Sequence, residues 1–115
     1  MTTLHQSISR QIGGFGLMVV GAENLSPTLD GEGLSFSINI QPVHADGSRG
    51  PAPRRMIANV LHDINDTYRV EVFYYEADAK VTHLTLSGVY SGDLEAVMFG
   101  LENGTLHGTP GPGWI

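Results

Sequence analysis

Chemistry in this chain would have to come from histidines, carboxylates or glycine-rich turns, because cysteine is absent and there is a single lysine, Lys80. A thiol nucleophile, a Cys-ligated metal and a disulfide framework are thereby excluded, and the redox compartment cannot be read from thiols. Of the five histidines, His62 and His83 would make a metal or acid–base cluster with Asp63 if their strands paired face to face. No His-Xaa-His or His-Glu-Xaa-Xaa-His spacing supports that set, so surface or edge-strand histidine is the better reading. The run Gly13-Gly14-Phe15-Gly16 has the glycine density of a nucleotide loop, yet it precedes a strand-like run. A dinucleotide fingerprint must instead follow a strand and open a helix. The phosphate-cradling Gly-Lys-Ser/Thr loop and the Gly-Xaa-Ser-Xaa-Gly elbow are both missing. The expectation is a non-enzymatic protein with no catalytic residues, no metal and no cofactor.

Charge narrows the partners. The formal net charge of −6 works against sequence-independent nucleic-acid binding, which depends on cations displacing counterions. Arg49, Arg54 and Arg55 are half of the six cations and lie in or beside a loop at Pro42–Pro53 that holds three prolines and two glycines. They are the candidate contact for phosphate or an acidic partner, with a merely solvated loop as the favoured alternative. The acidic residues are spread along the chain rather than clustered, which argues against mimicry of DNA. No apolar run approaches the roughly 18 residues of a membrane span, and the N-terminus lacks a basic-then-apolar leader. The expected setting is cytoplasmic, away from membranes.

The elements that would position any site follow from hydrophobic periodicity. Thr67–Glu76 alternates Tyr68, Val70, Val72 and Tyr74 against Arg69, Glu71, Phe73 and Tyr75, the period-2 signature of a strand. Its second face begins charged and ends aromatic, so Phe73 and Tyr75 are either partly covered or offered to a partner. Ala77–Lys80 is a short connection to a second alternating run, Val81–Tyr90, and together they make a hairpin. Ser91, Asp93 and Glu95 then suit a helix start, with Leu94, Val97, Met98 and Leu101 on one stripe and Asn103-Gly104 as the stop.

Toward the N-terminus, Thr3 and Gln6 fit a capping box, and Leu4, Ile8 and Ile12 make a helical stripe that ends at Gly13-Gly14. Phe15–Val20 reads as a buried strand, Asn24–Gly33 as a loop, and Leu34–Ile40 as a half-buried strand. Met56–Ile64 satisfies both a helical stripe and a strand alternation, and periodicity alone favours the helix. Gly108–Gly113 alternates with threonine and prolines, a tail expected to form neither helix nor ladder. The one tryptophan, Trp114, is a candidate docking residue there, against the plainer reading that it folds back on its own domain.

Several short motifs occur in order: Gln11-Ile12-Gly13-Gly14, Val19-Val20-Gly21-Ala22, Leu34-Ser35-Phe36, Asp66-Thr67-Tyr68-Arg69-Val70-Glu71, and Gly88-Val89-Tyr90-Ser91-Gly92-Asp93-Leu94. That order resembles a family of small proteins encoded in bacteriophages and integrated mobile elements. The resemblance covers about residues 4–107 and brings no functional residues with it. It implies that Met56–His62 is extended, as a third strand. The long Pro/Arg loop and the Gly-Pro tail depart from the family pattern.

These readings combine into an α+β fold, an antiparallel sheet of four to five strands with an N-terminal and a C-terminal helix packed on one face. Residues 1–107 form the single domain and 108–115 a flexible tail. The expected role is an accessory protein that binds a host or phage protein, neutralisation of a defence system included, with self-association as a homodimer left open. A nucleic-acid-binding regulator using Arg49, Arg54 and Arg55 is the alternative. The candidate contact residues are those three arginines with Phe73, Tyr75 and Trp114.

Overall fold

Strand alternation can be satisfied only by a sheet with one dry face, and a computed structural model of the chain shows that sheet. It describes residues 4–28, 33–41, 52–63, 66–103 and 109–110. The helices are α1 (Leu4–Ile12), α2 (Gly14–Val19) and α3 (Leu94–Asn103), and the strands are β1 (Glu23–Pro27), β2 (Gly33–Ile40), β3 (Arg54–His62), β4 (Tyr68–Glu76) and β5 (Ala79–Val89). A two-residue segment, β6 (Thr109–Pro110), pairs with β5, and all neighbours are antiparallel in chain order. The fold is therefore the expected α+β sheet with helices contributed by both ends of the chain.

The dry face is built by every second residue of the central strands. Leu34, Phe36, Ile38 and Ile40 of β2, Met56, Ala58 and Val60 of β3, and Tyr68, Val70 and Val72 of β4 are all buried. Ile8 and Ile12 of α1 and Leu94, Val97, Met98 and Leu101 of α3 close over them in one cluster. Burying these stripes together is the main stabilising term, at about 25 cal/mol for each Å² of apolar surface removed from water. Among the described residues, no helix is long and apolar enough to cross a membrane.

Of the run Met56–Ile64, the described residues Met56–His62 are strand and not helix. Register pairs Ile57 with Ser37 on one side and with Phe73 on the other, so β3 is a central strand held by two ladders. Strand pairing on both edges outweighs a helical stripe that those residues also satisfy. The extended Met56–His62 that the resemblance implied lies within β3.

Phe15–Val20 is not a buried strand either. Ile12, Gly16 and Val20, four apart, are buried, while Phe15 and Met18 are 62% and 67% exposed, which is helical spacing. Gly16 lies where a Cβ would come within 3.3 Å of Glu95 Cγ and 3.5 Å of Met98 Cγ, so α2 and α3 cross at this glycine. The amide of Ala22 donates to Leu17 O and that of Gly21 to Met18 O, with Gly21 at φ 66°, a Schellman stop. The amide of Asn39 donates to Val20 O at 2.9 Å and ties this helix end to β2.

Other boundaries shift for local reasons. The expected loop at Asn24–Gly33 contributes to the exposed edge strand β1, whose pairing with β2 carries a bulge near Asn24 at φ 58°. Ser91 is not the N-cap: residues Ser91–Asp93 form a 3-10 turn entered from Tyr90, and the Asp93 amide donates to Tyr90 O. The tail does join a ladder at Thr109–Pro110, since an edge strand needs amide donors only at alternate residues. Thr3, the loop at 42–51 with Arg49, Gly104 and Trp114 lie outside the described residues.

The hairpin of β4 and β5 is present, with a tighter turn than the four-residue connection read from the sequence. Glu76 pairs with Ala79, leaving Ala77 and Asp78 at φ 50° and 66°. Both central residues are thus left-handed, as a type I′ turn requires. β5 has 11 residues against 9 in β4, and the two extra residues are taken up by bulges at His83 and near Gly88, where φ is 70°.

Two outcomes in urea unfolding follow. Replacing Ala77-Asp78 by Asn-Gly is expected to raise stability by about 1 kcal/mol, because two strained φ angles are relieved. Gly33→Ala is expected to lower it by about 1–3 kcal/mol, since a Cβ there would collide with the carbonyl oxygen of Val60 across the β2–β3 ladder.

Candidate interaction surface

With both terminal helices on one side, no helix among the described residues lies over the other side of the sheet, and its side chains fall into rows set by register. Ser35, Asn59, Glu71 and Thr85 stand opposite one another across β2, β3, β4 and β5. The next row is Ser37, Ile57, Phe73 and Thr82, and beyond it Tyr75 pairs with Lys80. A polar band and an apolar band therefore run side by side.

The apolar band has depth. Phe73 is 6% exposed and forms a floor, while Tyr75 is 58% exposed and stands over it edge-on, with centroids 5.9 Å apart and planes at 86°. Lys80 Nζ sits 4.3 Å from the Phe73 ring centroid, a cation–π contact. Lys80 thus belongs to the strand face rather than to the turn. These three side chains, with Ile57, Asn59 and Leu61 of β3 and Ser26–Thr28 beside Ser35, line a groove of about 540 Å³. Within the polar band, Asn59 Oδ1 is buried and accepts no hydrogen bond, which makes it a place where a donor would be gained.

The other named residues do not converge. Arg54 and Arg55, adjacent on a strand, point to opposite faces. Arg54 stacks on Tyr74 with Cζ 3.9 Å from the ring centroid, whereas Arg55 lies 3.8 Å from Glu23 and donates to Ser37 Oγ at 3.3 Å. They form no shared basic patch. Phe73 and Tyr75 are brought together as read, in unequal roles.

The histidines stay apart. His62 pairs in register with Tyr68, its ring 5.3 Å from that of Tyr68 and its Nε2 3.4 Å from Asp66. His83 is buried at the β5 bulge, level with Val72 and Phe73, and β4 lies between the two. Strand spacing and rise put them roughly 18 Å apart. Asp63 instead faces Arg69 at 3.4 Å, and Arg69 also reaches Glu71 at 3.5 Å. Among the described residues, no group of three potential metal ligands is present.

Sequence reasoning missed Ile57, Asn59, Leu61 and Lys80 as members of this surface, because membership depends on the register of β3 with β4. It also missed a smaller apolar patch on the helical layer, where Phe15 and Phe99 rings lie 5.6 Å apart beside exposed Met18. The four-residue spacing of Ile12, Gly16 and Val20 was the available signal for that patch. Compared with known proteins, the chain matches no family model, no curated protein and no solved structure.

Proposed function

We propose that this is a non-enzymatic accessory protein of a bacteriophage or integrated mobile element that binds a host or phage protein through the helix-free face of its sheet. The observation that carries the reading is the groove floored by Phe73 and rimmed by Tyr75 and Lys80. A buried aromatic floor with an exposed aromatic rim is the anatomy of an interface hot spot. The genomic setting rests on the resemblance of the motif order to that of phage and mobile-element proteins, and a component of a host defence system is within the class of partners this implies. The nucleic-acid alternative draws little support from Arg54 and Arg55, which face opposite ways and are engaged by Tyr74 and Glu23.

Capture from a bacterial host lysate on the immobilised protein tests the reading. The wild type is expected to retain one protein in stoichiometric amount. Tyr75→Asp is expected to weaken that capture about thirtyfold, the loss of a hot-spot aromatic worth about 2 kcal/mol. Retention of the same protein by Tyr75→Asp, or a salt-sensitive mobility shift of nucleic acid in place of protein capture, would contradict it.

A further inference from the structure

We infer that the groove receives a partner segment presenting an aromatic or aliphatic side chain flanked by carboxylates. This rests on reading the outer sheet face as the contact surface and assigns that contact a chemistry.

The floor is the Phe73 ring, Ile57 and Leu61 add apolar lining, and the open groove of about 540 Å³ has room for a bulky side chain. Among the described residues the one charged group on its lining is Lys80, although the chain has 12 carboxylate residues and a net charge of −6. Lys80 makes no ion pair among the described residues, whereas Arg55 and Arg69 are each matched by a carboxylate. Its ammonium is held over the floor by the Phe73 ring, so an incoming apolar group and an incoming anion would meet the same spot.

The overall negative charge opposes an acidic partner only at long range. At physiological salt, charges are screened beyond about 8 Å, and inside the groove the local cation decides. Asn59 supplies the complementary acceptor: a rotation of its amide presents Oδ1 to a partner backbone N–H, pairing an oxygen that now accepts nothing.

Two small probes with the same ring and opposite charge separate this chemistry from its rivals. Indole-3-propionate and tryptamine are titrated into the full ¹⁵N-labelled chain, and amide shifts are followed. Indole-3-propionate is expected to move the amides of Phe73, Tyr75 and Lys80 while tryptamine does not. Lys80→Gln is expected to abolish that response, and Lys80→Glu to reverse the preference, both at an exposed position where folding is retained. Equal response to both probes, or none at the groove from either, would overturn the inference and leave partner capture through Tyr75 standing. A response seen only after Trp114→Ala would also overturn it, assigning the groove to the tail of the chain itself.

Discussion

The structure depends on one packing event, the burial of a single face of β2, β3 and β4 under α1 and α3. Leu34, Phe36 and Ile38 meet Val60, Ala58 and Met56, Val60 and Ala58 in turn meet Val70 and Val72, and Ile8, Ile12 and Met98 close the layer from above. Because side chains alternate strictly along a strand, fixing which residues go inward also fixes which go outward. A one-residue slip in β3 would carry Met56, Ala58 and Val60 outside and bring Arg55, Ile57 and Asn59 into the core. The cost of burying Arg55 and Asn59 unpaired is what holds the register.

The outer face is a consequence of that constraint, and its composition differs from what solubility alone would select. One band carries Ser35, Asn59, Glu71 and Thr85, an ordinary polar surface. The neighbouring band carries Ile57 and Phe73, with Tyr75 rising beside them and Lys80 resting on the Phe73 ring. The bulge at His83 adds twist to β5 next to these residues. The edges are managed as well: β1 is short and bulged, and Thr109–Pro110 covers part of β5 with a residue that offers no donor outward.

Much of this was legible in the residues. The alternation of Tyr68, Val70 and Val72, that of Leu34 through Ile40, and the stripes Ile8-Ile12 and Leu94-Val97-Met98-Leu101 each carry a period that only one element type satisfies. What was not legible lies where period is ambiguous or short. Met56–Ile64 fits two periods, and only pairing with both β2 and β4 decides between them. Phe15–Val20 is apolar on every side over six residues, so its helical state is marked only by the four-residue spacing of Ile12, Gly16 and Val20, with Gly16 set against Glu95 and Met98. The same reason limits the site. Phe73 and Tyr75 stand out within their own strand, whereas Ile57, Asn59 and Leu61 join them only across a ladder, and sequence spacing does not encode a ladder.

The central claim is that the inward face of β4 holds the fold together while its outward aromatic rim is spare. Urea unfolding of Val72→Ala beside Tyr75→Ser addresses it most directly, since the two positions lie three residues apart on one strand. Val72→Ala is expected to cost about 2 kcal/mol, the loss of fully buried methyl groups. Tyr75→Ser is expected to stay within about 0.5 kcal/mol of the wild type, as a surface substitution does. Equal destabilisation by the two would mean that Tyr75 is structural, and the account of the outer face would be wrong.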